Sequence, residues 1–142
     1  MRAVAADLDG DGDADVLTAS FHDNKVAWCP NLGGGVFGPQ QVLTTQAMFC
    51  SDVFASDLDG DGDLDVLSAS FSVNPIAWYE NLGGGAFGPR QIIASPSAAN
   101  TVTTSDLDGD GDQDVLSTFS GSAGIVWNEN LGGGSFGPAL TI

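Results

Sequence analysis

Three short runs of the chain place an aspartate at every second position. They read DLDGDGDADVL from Asp7, DLDGDGDLDVL from Asp57 and DLDGDGDQDVL from Asp106. Carboxylates at alternate positions of a tight loop can converge on one point, and glycine at the sixth position permits the turn that aims the next carbonyl inward. Such a loop offers only oxygen atoms, which are the ligands of hard divalent cations. The runs therefore predict metal sites.

In each loop the first, third and fifth residues are expected to give side-chain oxygens and the seventh its backbone carbonyl, while the ninth returns a carboxylate from the next strand. The predicted ligands are Asp7, Asp9, Asp11, Asp13 and Asp15, then Asp57, Asp59, Asp61, Asp63 and Asp65, then Asp106, Asp108, Asp110, Asp112 and Asp114. Ca²⁺ suits this set better than Mg²⁺, because it accepts about six to eight oxygens in a flexible shell. Zinc would need histidine or cysteine, and His22 is the one histidine. We expect three Ca²⁺ sites per chain.

Two other interpretations of these loops are disfavoured. An EF-hand needs glutamate at position 12 and flanking helices, whereas position 12 here is Thr18, Ser68 or Ser117. A merely solvated acidic turn would leave five carboxylates repelling one another, at about 1 kcal/mol for two charges ~4 Å apart in water. Three bound ions would change the formal net charge from −16 to −16 + 6 = −10.

The charge of the chain also excludes several partners. Of 19 acidic residues, 15 lie in the three loops, and only 3 residues are basic. Nucleic acid is excluded because its affinity depends on Lys and Arg, and anionic membrane surfaces are disfavoured for the same reason. No apolar stretch approaches the ~20 residues that span a bilayer, so we expect no membrane insertion. The first residues lack a signal-peptide core, which suggests a mature or excised piece, or a chain whose export signal is missing.

The whole chain repeats with the acidic loops. The loops begin 57 − 7 = 50 and 106 − 57 = 49 residues apart. Other landmarks keep the same spacing, namely Trp28, Trp78 and Trp127, Asn31, Asn81 and Asn130, and the runs GGGVFGP, GGGAFGP and GGGSFGP. The chain is therefore predicted to be a single repeat domain with units 1–48, 49–97 and 98–142.

The residue pattern of each unit predicts four short strands. In the second unit they are predicted at 52–56, 66–71, 76–81 and 91–93, with a turn at 72–75 and a Gly-Pro break before the last strand. No segment has a 3.6-residue apolar period, so helix should be almost absent. Four antiparallel strands repeated every 40–50 residues are typical of β-propeller blades. We predict an all-β propeller architecture with three blades in this chain.

The order of these motifs resembles the FG-GAP/VCBS repeat, the blade of integrin-α-type propellers and of many bacterial, algal and fungal surface proteins. The resemblance rests on D-x-D-G-D-G-D-x-D-V-L, a tryptophan strand and N-L-G-G-G-x-F-G-P, and it covers essentially all 142 residues. It implies Ca²⁺ between strands one and two of each blade. These blades are shorter than integrin ones and lack a Gly-Ala-Pro signature.

The resemblance also implies a secreted or cell-surface module for adhesion or ligand binding. The alternatives are a carbohydrate-binding lectin, a building block of a larger surface assembly, or a fragment of a secreted enzyme, because this blade serves all of them. No catalytic residue and no organic cofactor site is predicted, since His22 has no converging acid, base or nucleophile. We expect that the chain itself is not an enzyme.

Five further expectations concern packing and partners. The tryptophans should pack between blades, and Cys29 and Cys50 should be buried free thiols rather than a disulfide. The acidic loops and GGGxFGP turns should share one end of the blades. A protein or glycan ligand should bind the opposite, variable end, formed by 22–25, 72–75, 121–124, 44–51 and 94–100. Because propellers have 4–8 blades, we expect either a homodimer with 2 × 3 = 6 blades or neighbouring blades from a longer chain.

Overall fold

The computed structural model describes residues 1–72, 75–94, 98–121 and 124–142. These residues form strands and no helix, which confirms the all-β prediction. Within them there is accordingly no helix of the length and apolarity needed to cross a bilayer. The predicted segments 72–75, 94–100 and 121–124 lie partly outside the described residues, because they include 73, 74, 95–97, 122 and 123.

The strands of the described chain form three antiparallel sheets of four strands each. The first sheet holds β1 (Arg2–Ala6), β2 (Asp15–Ser20), β3 (Lys25–Cys29) and β4 (Gln41–Thr44). The second holds β5 (Cys50–Ser56), β6 (Asp65–Ser70), β7 (Ile76–Tyr79) and β8 (Gln91–Ala94). The third holds β9 (Ala99–Ser105), β10 (Asp114–Phe119), β11 (Ile125–Asn128) and β12 (Leu140–Thr141). Within every sheet the strands are adjacent in chain order.

The second sheet shows how closely the strand prediction fits. Its first, second and fourth strands agree with the predicted segments to within two residues at each end. The third ends at Tyr79 rather than at Asn81, because Asn81 leaves the ladder and forms an isolated bridge with Phe87. Strand β6 is buried along its whole length, since a sheet packs on each of its two faces.

Two apolar clusters join the three sheets. The first contains Leu17, Val26 and Trp28 of the first sheet with Val53, Val66 and Tyr79 of the second. The second contains Leu67, Ile76 and Trp78 of the second sheet with Val102, Val115 and Val126 of the third. Strand β5 contacts both β1 and β9 along one side of the stack. In the described part of the chain the sheets remain three separate layers that do not close into a ring, so closure as a propeller stays a prediction.

The two ends of the stack differ as the sequence predicts. At one end the β1–β2 loop meets the glycine-rich turn, where a Cβ at Gly33 would lie 3.3 Å from Oδ2 of Asp13. At the other end Asn24 joins the β2–β3 tip to the segment before β5. Its backbone oxygen accepts the N–H of Ala47 at 3.1 Å, and its side-chain Oδ1 accepts the N–H of Phe49 at 2.9 Å. The nearly invariant motifs therefore lie together, and the described variable segments lie opposite them.

Candidate metal sites

The first aspartate of each loop holds the two loop glycines. Asp57 accepts the backbone N–H of Gly60 on Oδ1 at 2.8 Å and that of Gly62 on Oδ2 at 3.1 Å. Both glycines have a positive φ, 81° and 97°, which glycine adopts without the steric cost that a Cβ brings. The same pair of bonds recurs at Asp7 and Asp106. Each loop is therefore shaped by its own carboxylate and amides.

The aspartates at positions three and five of the loop accept hydrogen bonds from the backbone two residues further on. Asp59 accepts the N–H of Asp61 at 3.2 Å, and Asp61 accepts the N–H of Asp63 at 2.9 Å. Aspartate favours tight turns because it can form this local bond. The first and third loops contain the same bonds. The carboxylates at these alternate positions are thereby fixed relative to the loop backbone.

The aspartate at position nine of the loop is the buried anchor of the site. Asp65 is fully buried, and its Oδ2 accepts the N–H of Leu58 at 3.0 Å while its Oδ1 accepts the N–H of Asn81 at 2.8 Å. Burial raises the pKa of Asp65 to about 6, although these two N–H donors lower it. Asp15 and Asp114 make the equivalent pairs of bonds. This side chain therefore ties the loop to the start of β6 and to Asn81, two residues after β7.

Carboxylate oxygens converge in all three loops. In each loop three aspartates each place one oxygen within 4.8 Å of the oxygens of the other two. The groups are Asp7, Asp9 and Asp15, then Asp57, Asp59 and Asp61, then Asp106, Asp108 and Asp110. Two oxygens that bind one Ca²⁺ at about 2.3–2.6 Å can lie at most about 5 Å apart. The residues present therefore fit a single Ca²⁺ in each loop.

The structure groups three of the five predicted ligands of each loop. Asp11 lies outside the first group, and Asp65 and Asp114 lie outside the second and third. The seventh residue was predicted to bind through its backbone carbonyl, and its side chain faces the glycine-rich turn, where a Cβ at Gly83 would lie 3.5 Å from Oδ2 of Asp63. The complete set of five ligands remains a prediction.

The electrostatics of the loop disfavour bare anions. Burial raises the pKa of Asp59, the N–H of Asp61 lowers it, and the carboxylates of Asp61 and Asp57 raise it again. The pKa values of Asp9 and Asp108 are raised in the same way. A neighbouring like charge disfavours the ionised form of a carboxyl group, whereas a cation favours it. A divalent cation would therefore offset the electrostatic repulsion among these carboxylates.

One residue type of the site has a role that the sequence did not reveal. Asn81 donates from Nδ2 to the backbone oxygen of Leu64 in its own loop at 3.0 Å and to that of Leu8 in the preceding loop at 2.8 Å. Asn130 likewise reaches Gln113 in its own loop and Leu58 in the preceding one. The regular spacing of the asparagines was the available signal, but it could not show which loop lies beside them. Consecutive acidic loops are thus linked by an asparagine.

The remaining residues singled out in the sequence belong to none of the three groups of converging carboxylates. Trp28 and Trp78 are buried between sheets, as predicted. Cys29 and Cys50 are free thiols in the structure, and of the two only Cys50 is buried. His22 is exposed, with its ring against the edge of Phe21 at 5.4 Å.

The fold and the loops define a class of all-β proteins built from repeated acidic-loop units. A model of the FG-GAP-like repeat matches residues 7–68 and again residues 57–117. The chain belongs to this family.

Solved structures show where similar folds occur. The chain is 28% identical to a lectin of Agrocybe aegerita that recognises non-reducing terminal N-acetylglucosamine, with a TM-score of 0.72 over 99% of this chain and 38% of the lectin. It is 22% identical to a chain of the Photorhabdus luminescens Tc holotoxin pore, with a TM-score of 0.55 over 99% of this chain and 7% of the toxin chain. The second likeness concerns the fold alone. Comparison with curated protein sequences found no match.

Proposed function

We propose that this chain is an extracellular β-propeller module that binds calcium in its acidic loops and uses its variable end for adhesion or ligand binding. The observation that carries the proposal is the convergence of three carboxylate oxygens within 4.8 Å in each of three equivalent loops. Three copies of one oxygen cluster support a common ligand better than three unrelated surface turns do. Calcium would be structural here, and the extracellular setting supplies it at the concentrations that modest sites require.

Calcium would act through parts of the chain that already fit together. When bound, it supplies the positive charge that the clustered carboxylates lack. The protein's own residues shape and anchor the loop. Asp57 holds the loop glycines, and Asp65 anchors the loop to β6 and to Asn81. Asn81 and Asn130 each donate a hydrogen bond to the preceding acidic loop, which fixes consecutive loops relative to one another. The acidic end would thereby become a rigid base for the opposite, ligand-binding end.

Calorimetric titration of the calcium-free chain tests the metal sites. We expect three equivalents of Ca²⁺ for the native sequence and two for Asp59→Asn, since Asp59 belongs to the second oxygen group. Glu129→Gln is the matched control, because it removes one negative charge outside the three loops. No binding by the native chain, or three unchanged equivalents in Asp59→Asn, would refute the metal assignment.

A glycan is the ligand class that has specific support. The similar lectin of known structure recognises N-acetylglucosamine, and the likeness covers nearly the whole of this chain. At the variable end Phe21 and Phe49 lie with ring centroids 5.2 Å apart, next to exposed His22. A cleft of about 400 Å³ lies there, lined by Phe21, His22 and residues from both sides of the first sheet junction. Sugar rings bind to such mixtures of aromatic faces and polar groups.

Titration with N-acetylglucosamine in millimolar calcium tests the glycan proposal. His22→Ala and Phe49→Ala should each weaken binding at least severalfold. Gln113→Ala is the comparison, because Gln113 lines a different cleft of about 600 Å³ beside the acidic loops of the second and third sheets. Loss of binding in Gln113→Ala alone would contradict the placement at the variable end, and no binding by the native chain would leave a protein ligand as the candidate.

A further inference from the structure

The junction between consecutive sheets is built in the same way twice. Trp28 packs with its ring edge-to-face against Phe87 of the next sheet, with centroids 6.4 Å apart, and a Cβ at Gly85 would lie 2.6 Å from the indole. Trp78 meets Phe136 in the same manner at 6.1 Å, over Gly134. The glycine has no side chain, so the tryptophan can lie directly on the turn. Each sheet therefore has two different faces. Its forward face, toward the next sheet in the chain, carries a tryptophan, and its backward face, toward the preceding sheet, carries a glycine and a phenylalanine.

Hydrogen bonds give the junction a direction. Asn81 donates to the backbone oxygen of Leu8 in the sheet before it, and Asn130 donates to that of Leu58. The leucines at these junctions are 1% and 2% exposed. At both junctions the backward face thus contains an asparagine donor, and the forward face contains a leucine carbonyl that accepts from it.

The forward face of the third sheet has these groups and no sheet on them among the described residues. Leu107 is 46% exposed although its counterpart Leu58 is 2% exposed, and Ile125 is 47% exposed although its counterpart Ile76 is fully buried. Trp127 is likewise less buried than Trp28 and Trp78. Burial at these positions follows the presence of a neighbouring sheet and not the residue type.

The backward face of the first sheet is the matching half. Phe37 is 48% exposed, whereas its counterparts Phe87 and Phe136 are partly buried under a tryptophan. A Cβ at Gly35 would meet nothing within 4 Å, where the equivalent glycines meet an indole. This face therefore has the space and the ring edge that a tryptophan occupies at the other two junctions.

We propose that the forward face of the third sheet binds the backward face of the first sheet in a second copy of this chain. The contact continues a junction that the chain itself forms twice, with Trp127 over Gly35 and Phe37 and with Asn31 donating to the backbone oxygen of Leu107. Two copies would cover both faces at once and bring together 2 × 3 = 6 of the described sheets, within the about 4–8 blades of known propellers. Head-to-tail contacts of this kind give closed rings when the rotation permits.

Sedimentation with matched variants tests this association. The native chain in calcium should sediment near 29 kDa (2 × 14.4), and Ile125→Lys should sediment as a monomer, because the lysine charge would be buried at the contact. Leu131→Lys is the control, since Leu131 is 60% exposed and its counterpart Leu82, at a formed junction, remains 62% exposed. It should stay a dimer. A native monomer, a ladder of masses beyond the dimer, or a dimer that survives in Ile125→Lys would overturn the proposal.

A thiol measurement gives an independent readout on the folded chain. Cys29 is half-buried on the first sheet, whereas its counterparts Tyr79 and Asn128 are 1% exposed at formed junctions. Burial raises the pKa of Cys50 to about 11, so labelling of the folded chain reports on Cys29. Cys29 should react several times more slowly in the native chain than in Ile125→Lys at the same concentration. Equal rates in the two would contradict the proposed contact.

Discussion

At the scale of single residues, the aspartate at position nine of each loop has more than one role. Asp65 is a predicted calcium ligand, yet each of its oxygens already accepts a backbone N–H, from Leu58 and from Asn81. A buried carboxylate that satisfies two N–H groups fixes the chain whether or not it also contacts an ion. The position should therefore tolerate no neutral isostere.

We predict that Asp65→Asn lowers both calcium affinity and stability. The amide can accept one of the two hydrogen bonds but must turn its own N–H₂ toward the other donor, and a buried unpaired donor costs about 1–3 kcal/mol. Leu64→Ala is the comparison for affinity, because Leu64 has the unrelated counterparts Ala14 and Gln113 in the other loops. Calcium titration and urea unfolding measure the two effects. Equal calcium affinity in both variants would show that Asp65 is not a ligand.

At the scale of strands and sheets, the tryptophan–glycine contact decides how closely two layers approach. Gly85 and Gly35 occupy equivalent positions and have similar φ values, 73° and 78°. They differ in surroundings, since only Gly85 has an indole above it. This pair separates the backbone cost of replacing glycine from the steric cost.

We predict that Gly85→Ala destabilises the chain clearly more than Gly35→Ala does. Both changes carry the cost of a Cβ at positive φ, about 1 kcal/mol, but at Gly85 the new Cβ would also overlap Trp28 and push the two sheets apart. Unfolding should be measured in the Ile125→Lys background, so that Gly35 stays uncovered. Equal losses would mean that the junction adapts to the extra atom without cost.

The same scale shows what the sequence could and could not reveal. Strand positions in the second unit followed from the alternation and turn residues around Trp78, and the convergence of carboxylates within each loop followed from the spacing of the aspartates. The partner of Asn81 did not, because its acceptor, Leu8, lies 73 residues away in the chain. The difference between Leu58 and Leu107 was equally hidden, since identical motifs are buried or exposed according to what stacks on them.

At the scale of the whole molecule, charge and stability are linked. The formal net charge is −16, and most of it lies at the acidic end of the stack. Repulsion on this scale opposes the compact state. Any cation that binds only the folded chain should counter it.

We predict that the melting temperature rises visibly between excess chelator and millimolar calcium. Each site filled at a hundredfold excess over Kd adds about 2.7 kcal/mol to the free energy of unfolding. Magnesium at the same concentration is the control, and it should have a smaller effect because it demands stricter geometry. A melting curve that is the same in chelator and in calcium would contradict a structural role for the ion.

The directional junction also bears on how such chains lengthen. Each layer matches the layer before it and the layer after it through one set of contacts, Trp28 to Phe87 and Asn81 to Leu8. A segment of about fifty residues copied in frame beside itself would therefore meet a suitable surface on both sides. Tandem duplication of residues 49–97 adds a layer in one genetic step and requires no new complementary surface to arise.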